Sequence, residues 1–139
     1  MENYLPSKRF VKISLLTCLP IVLVLTILME IALIVVLTGP KDEFIIIRKT
    51  LAYVVGVSEA IIILVQIFGI VVVSLEHYHG SIALTVLEGV ILFYMTYIAI
   101  IGWNTFIIIK LSSHIITFGL CIVYVRQIKG DSTNPHYNY

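Results

Sequence analysis

Four long apolar segments dominate the sequence, and each is long enough to cross a lipid bilayer as an α-helix. A membrane-crossing helix needs about 20 mostly apolar residues, and the sequence provides such runs at 10–38, 51–75, 81–101 and 106–125. Only 12% of the residues are charged, about half of the share that is typical of soluble domains. Because so few charges cannot cover a soluble surface, the sequence predicts an all-α integral membrane protein with four transmembrane helices.

Short polar stretches separate these segments. Residues 39–43 follow the first, residues 76–80 close the second, and residues 102–105 divide the third from the fourth. Connections this short make neighbouring helices antiparallel. We therefore predict a compact bundle of four antiparallel helices between an N-terminal stretch at 1–9 and a C-terminal tail at 126–139.

The basic residues favour an orientation with both termini in the cytoplasm. An even number of spans places both termini on one side of the membrane, and basic residues accumulate at the cytoplasmic ends of spans. Five basic residues flank the terminal ends and four lie towards the opposite side: Lys8, Arg9, Lys12, Arg126 and Lys129 against Lys41, Arg48, Lys49 and Lys110. We expect a multi-pass protein of the plasma membrane or an endolysosomal membrane.

Four ionisable residues fall at one depth of the predicted bundle. Counting about 1.5 Å of helix rise per residue from the outer ends of the segments places Glu30, Glu59, Lys110 and His114 roughly 10–16 Å inside. An ionised side chain that faces lipid costs about 2.5–3.5 kcal/mol, so we expect all four to point into the bundle. Lys110 then pairs with Glu59 or Glu30, with His114 near the same carboxylates.

Gln66 and Glu88 form a second polar pair, closer to the cytoplasmic side. Gln66 lies nine residues from the end of the second segment, and Glu88 lies seven residues from the start of the third. Because these depths match, we predict a hydrogen bond between the two side chains. Gly56 and Ala60, one turn apart, form a small-xxx-small pair that lets a neighbouring helix approach closely.

The role of these polar residues stays open on the sequence alone. A buried Glu–Lys pair can simply fix the order of the helices. Lys110 can instead extend towards the outer surface and leave the glutamates protonated. The third interpretation is a proton or cation relay, since ionisable residues inside spans often mark transport paths and histidine changes charge near neutral pH.

No catalytic or cofactor-binding motif is recognisable. The sequence has no HExxH, GxSxG or Gly-rich phosphate loop, and we predict no enzyme activity, no cofactor and no metal. Glu76, His77 and His79 share one turn, where they are expected to be ordinary turn residues rather than metal ligands. The net charge of +1 provides no basic field for nucleic acid.

The tail contains one recognition motif. Asn134-Pro135-His136-Tyr137 resembles the NPxY signals that endocytic adaptors and phosphotyrosine-binding domains read, and Asn-Pro favours a turn that presents the tyrosine. The fuller form of the signal has an aromatic residue further upstream, where this chain has residues 131–133. Asn134, Pro135 and Tyr137 can therefore form a sorting motif with a cytoplasmic adaptor as partner, or the tail can be an ordinary solvated segment.

The four segments, the short connections and the tyrosine-bearing tail resemble small four-pass membrane proteins, namely the lysosome-associated four-pass family and the MARVEL-type proteins. The resemblance is architectural and covers the whole chain. Tetraspanins have a large cysteine-rich loop, and claudins have a Trp and paired cysteines in the first loop; this sequence has neither. The resemblance implies a non-enzymatic role in trafficking, junctions or membrane organisation, through lateral association with other membrane proteins or with a second copy.

A second resemblance is to the small multidrug-resistance transporters. Those proteins are similar in size, have four spans, and carry in the first span a glutamate that binds proton and drug. Glu30 is the corresponding residue here, although its surroundings, LMEIALIV, depart from the family's pattern. This resemblance implies the alternative function, a small proton- or cation-coupled transporter that works as a dimer.

Overall fold

The chain folds into four long α-helices. A computed structural model describes residues 6–37, 45–102 and 105–132. The helices are α1 (Lys8–Leu37), α2 (Ile45–Ser74), α3 (Tyr78–Ile101) and α4 (Thr105–Ser132). No strand occurs within these described ranges, so the all-α class predicted from the sequence is confirmed.

All four helices are long and apolar enough to cross a membrane. Large apolar side chains are exposed on every helix, and the most exposed, Phe93 and Ile100, reach 80% and 78%. Monomeric soluble proteins rarely expose contiguous apolar patches of more than a few hundred Å². The exterior of this bundle is therefore suited to hydrocarbon rather than to water.

The helices extend beyond the apolar segments from which they were predicted. α2 begins at Ile45 instead of residue 51, and α3 begins at Tyr78 instead of residue 81. α4 continues to Ser132, although the sequence assigned residues 126–132 to the tail. Charged and other polar residues end an apolar segment without ending a helix, because Lys, Arg and Gln are good helix formers. In α4, Ile128 also packs against the core, which extends the helix past its apolar run.

The turn between α2 and α3 is built by backbone hydrogen bonds. The N–H of His77 donates to the carbonyl of Val72 at 3.2 Å, and the N–H of Glu76 donates to the carbonyl of Val73 at 3.3 Å. These two hydrogen bonds define a Schellman motif. Glu76 adopts a φ of 53°, where glycine is usual and other residues are strained by about 1–2 kcal/mol. His77 then caps α3, because its Nδ1 accepts the N–H of Gly80 at 2.9 Å.

The helices pack as a ring around one core. α1 and α3 each contact both α2 and α4, so α2 and α4 lie diagonally across the centre. The apolar core is filled by side chains from all four helices, among them Leu15, Leu19, Ile62, Leu84, Met95 and Tyr124. Pro20 lies inside α1, which stays helical on both sides of it.

Packing between helices is tight at Gly69 and loose at Gly56. A Cβ atom on Gly69 would lie 2.8 Å from Leu84 Cδ1 and 3.2 Å from Leu19 Cδ2, closer than ordinary contact. Among the described residues, a Cβ atom on Gly56 would meet only Glu30 Oε2, at 3.8 Å. The small-xxx-small pair of Gly56 and Ala60 is therefore not filled by a tightly packed neighbour within the bundle.

Candidate functional site

The interior of the bundle contains polar and charged side chains among its apolar core residues. Eight polar or charged residues are at most 1% exposed, and they come from all four helices: Thr26, Glu59, Gln66, Ser81, Glu88, Lys110, His114 and Thr117. The hydroxyl groups bond within their own helices; Thr26, for example, donates to the carbonyl of Val22 at 2.8 Å. The charged and amide side chains instead connect different helices, and they form the candidate site.

Lys110 and Glu59 form a buried ion pair across the centre of the ring. The Lys110 Nζ of α4 donates to Glu59 Oε2 of α2, and the side chains are 0% and 2% exposed. The long lysine side chain bridges two helices that lie diagonally opposite each other. Removing one member of a buried pair leaves the other charge uncompensated, at a cost of about 3–5 kcal/mol. Of the two carboxylates predicted as partners of Lys110, the structure thus provides Glu59.

Glu88 of α3 connects Gln66 and His114 from the neighbouring helices. Its Oε1 accepts from Gln66 Nε2 at 2.5 Å, the contact that the matched depths predicted. Its Oε2 lies 3.0 Å from His114 Nδ1. An ionised carboxylate can only accept hydrogen bonds, so His114 donates from Nδ1 when Glu88 is charged.

The predicted position of His114 among the outer carboxylates is wrong. His114 pairs with Glu88, which the sequence had assigned to the inner pair. Lys110 and His114 share a face of α4 and lie one turn, roughly 6 Å, apart. That step is large enough for the two side chains to meet carboxylates on different helices.

Two polar atoms beside Glu88 have no hydrogen-bond partner among the described residues. They are Gln66 Oε1 and His114 Nε2, and both are buried. A buried polar atom without a partner costs about 1–3 kcal/mol. His114 and the Glu88 carboxyl are adjacent groups that are able to accept or pass a proton, whereas the amide oxygen of Gln66 can only accept a hydrogen bond.

Glu30 stands apart from both pairs. It lies on α1, is partly exposed, and interacts electrostatically with Glu59 and Lys110 without bonding to either. Its Oε1 is buried without a hydrogen-bond partner in the described part of the chain. Glu30 also lines a groove of about 320 Å³ between α1 and α2, with Gly56 and Ala60.

A further ionic cluster, which the sequence did not reveal, joins α1 to the α2–α3 turn. Glu76 Oε1 accepts from Lys12 Nζ at 2.7 Å, and its Oε2 lies 3.1 Å from Lys8 Nζ. Hydrogen bonds from Lys12 and then Lys8 hold the pKa of Glu76 below its ordinary value. The spacing of the two lysines, one turn apart on the same face, was the available signal. What the sequence could not show was that residue 76 lies beside them.

The remaining predicted site residues have no role in this polar interior. His77 is a helix cap, as described above, and no group of three metal-ligating side chains occurs within the described ranges. Asn134, Pro135 and Tyr137, the predicted sorting motif, lie outside the described residues. That motif stays a prediction.

Comparison of the chain with protein-family models, with characterised proteins and with solved structures finds no match. The resemblance to four-pass families therefore stays a prediction, and the contacts of the candidate site carry the functional argument.

Replacing Lys110 with leucine will strongly destabilise the bundle. Lys110→Leu leaves the buried Glu59 without its cation, and we expect the free energy of unfolding to fall by about 3–5 kcal/mol. The double variant Lys110→Leu/Glu59→Leu removes both charges and will recover most of that loss. Circular dichroism during titration of mixed micelles with SDS measures both values.

The matched control is Lys49→Leu at an exposed position, where we expect a change within about 0.5 kcal/mol. Additive losses in the double variant would contradict the ion pair.

The Glu76 cluster will make stability depend on pH. Because the pKa of Glu76 is lowered in the folded protein, its stabilising effect is present above the unfolded value of about 4.3 and is lost as pH falls through the folded value. Glu76→Gln will reduce the free energy of unfolding at pH 7 by up to about 1 kcal/mol, since the pairs are partly exposed. The same SDS titration across this pH range measures the difference, which will disappear at low pH.

Glu76→Gly separates the ion pairs from the backbone strain. Glycine also loses both lysine contacts, but it relieves the strain of about 1–2 kcal/mol at a positive φ. We therefore expect Glu76→Gly to be more stable than Glu76→Gln at every pH. Equal stability of the two variants would show that position 76 carries no strain.

Proposed function

We propose that the protein is a multi-pass membrane protein whose four helices cross the bilayer, each antiparallel to the helix before it in the chain. Contacts at one end of the bundle support the antiparallel order. Lys12, near the start of α1, bonds to Glu76 after the end of α2, and Tyr124, late in α4, donates to the carbonyl of Val73 at 3.2 Å. The proposed orientation has both termini in the cytoplasm, in the plasma membrane or an endolysosomal membrane.

The observation that supports membrane insertion best is the direction of the charged side chains. Away from the helix ends, the described spans contain the carboxyl groups of Glu30, Glu59 and Glu88 and the basic groups of Lys110 and His114. All but Glu30 are fully buried and paired with one another. This is the arrangement that hydrocarbon surroundings require, because an ionised group that faces lipid is costly.

In that membrane the protein acts without catalysis, in trafficking, junctions or membrane organisation. It does so by lateral association with other membrane proteins and through the tyrosine motif of its tail. The pairing of Lys110 with Glu59 and of His114 with Glu88 supports this proposal, because the bundle engages its buried basic groups internally and leaves an apolar exterior for partners. The partners are the bilayer, membrane proteins that lie beside the bundle and a cytoplasmic adaptor.

Loss of the tail tyrosine will change the distribution of the protein in cells. Tyr137→Ala removes the side chain that an adaptor would read after the Asn-Pro turn, and we expect the ratio of surface to internal protein to rise severalfold. Surface biotinylation together with imaging measures this ratio. The matched control is Tyr139→Ala, two residues outside the motif, for which we expect no change. An unchanged distribution of the Tyr137→Ala variant excludes the sorting role.

The alternative function, a proton- or cation-coupled transporter, is favoured by one observation. Gln66 Oε1 and His114 Nε2 are buried beside Glu88 without hydrogen-bond partners in the described ranges. His114 lies one turn from Lys110 on α4, so Glu88, His114 and the Lys110–Glu59 pair provide a short row of ionisable groups for a proton. Ionisable residues inside spans often have this role.

Flux through liposomes decides between the two functions. If the alternative holds, the purified protein will dissipate an imposed pH gradient, and Glu30→Gln or Glu59→Gln will abolish that flux. A pH-sensitive dye inside the liposomes reports it, and protein-free liposomes are the control. If the protein is a non-catalytic organiser, the gradient will decay at the rate of the control.

A further inference from the structure

The charges inside the bundle leave one carboxyl group over. Lys110 is bonded to Glu59, and His114 is bonded to Glu88. Glu30 is the third carboxyl group of the described spans, and neither basic side chain bonds to it. Since a buried polar group is costly unless it is hydrogen-bonded, the position of Glu30 indicates what it binds.

Glu30 lies at an opening in the side of the bundle. The groove of about 320 Å³ between α1 and α2 is lined by Glu30, Gly56, Ala60 and apolar side chains. Ala60 is exposed, and of the described side chains Glu30 alone, through Oε2, comes within 4 Å of a Cβ added to Gly56. The groove therefore combines a floor of small residues with a carboxyl group, and it opens on the apolar exterior.

These features match the contact surface of a transmembrane helix. Small residues let the backbone of a neighbouring helix approach closely, and polar side chains hydrogen-bond across such contacts. Tyr53 and Val57, which also line the groove, are exposed and provide an apolar rim. A helix in this groove would bury the rim and place its own side chain beside Glu30.

Away from the helix ends, the described spans of a second copy of the chain have no unpaired basic side chain that could provide the missing charge. Its Lys110 and His114 are fully buried and already paired. Two copies joined at this groove would instead bring two Glu30 carboxyl groups together, and nearby like charges disfavour each other. Charge complementarity favours a different protein with a basic side chain in its span.

We propose that the groove around Glu30 docks a transmembrane helix of another membrane protein that carries a lysine or arginine at the depth of Glu30. Glu30 lies seven residues before the end of α1 at Leu37, which is roughly 10 Å of helix rise. The partner's basic residue belongs about two turns inside its own span, where a long basic side chain can reach Glu30 along the groove. The inference rests on the proposed function, since it names the partner class for lateral association.

Model transmembrane peptides test this proposal with the full-length protein. The probe is a Leu/Ala helix of about 23 residues with one lysine seven residues inside one end, and the reference peptide has leucine in that position. Energy transfer between labelled protein and labelled peptide in phosphatidylcholine liposomes measures association. We expect the lysine peptide to bind about three- to thirtyfold more tightly than the leucine peptide, the range of polar contacts between membrane helices.

Variants of the groove locate the contact. Glu30→Leu will abolish the preference for lysine, and Ala60→Leu will weaken binding of both peptides by filling the groove. Ala83→Leu makes the same change at an exposed position of α3 and will leave binding unchanged. If Glu30→Leu does not fold, Ala60→Leu and Ala83→Leu still decide the location of the contact.

Three results would overturn the proposal. The first is equal binding of the two peptides, and the second is a lysine preference that survives Glu30→Leu. The third is that dodecylamine displaces the lysine peptide from the Ala60→Leu protein as effectively as from the wild-type protein. The last result would assign Glu30 to a small lipophilic amine. The outcome is independent of the proposed function: failure of peptide binding leaves the effect of Tyr137→Ala on sorting untouched, and an unchanged distribution of that variant leaves peptide binding untouched.

Discussion

Lys110 and Glu59 meet in the centre of the bundle, where neither charge is stable alone. In an apolar interior the attraction between them is strong, but it offsets the loss of hydration only when the two groups bond directly. The pair therefore requires that α2 and α4 lie within reach of one lysine side chain, diagonally across the ring. Because α1 and α3 each pack against both of these helices, they occupy the two remaining sides. The same rotation of α4 directs His114, one turn further on, towards Glu88 of α3.

The distribution of polar and apolar side chains is the reverse of that in a soluble protein. Charged and amide side chains are buried among the apolar side chains of the core, and large apolar groups cover the outside. Between helices in lipid there is little hydrophobic driving force, so association depends on close packing and on hydrogen bonds. Gly69 provides the close packing, since even one added carbon atom there would meet Leu84 and Leu19. The buried pairs provide the hydrogen bonds and select which helix faces meet.

Two features lie outside this self-contained interior, and both concern glutamates. Glu76 keeps a backbone conformation that suits glycine, and its carboxylate is held by Lys8 and Lys12. Local strain of this kind persists where surrounding contacts compensate for it, and here they fasten the start of α1 to the α2–α3 turn. Glu30 has no such compensation within the described chain, and for that reason it is the residue that we connect to a partner.

The sequence by itself determined the number of long helices, their apolar character and the burial of Glu59, Lys110 and His114, whereas Glu30, which was expected inside as well, is partly exposed. These properties follow from local chemistry, namely the length of each apolar run and the cost of an exposed charge in hydrocarbon. Counting helix rise was also enough to match Gln66 with Glu88. The helix ends were less predictable, since α4 continues through charged residues because Ile128 packs against the core.

Only the tertiary structure decided which carboxylate each basic side chain meets. Glu30 and Glu59 lie at the same depth, and a count along the helix axis cannot tell them apart; the choice depends on the rotation and lateral position of the helices, which the packing of all four sets together. The same holds for the position of Glu76 beside Lys8 and Lys12, 64 residues from the nearer lysine. Depth is a property of one helix, whereas pairing is a property of the arrangement of several.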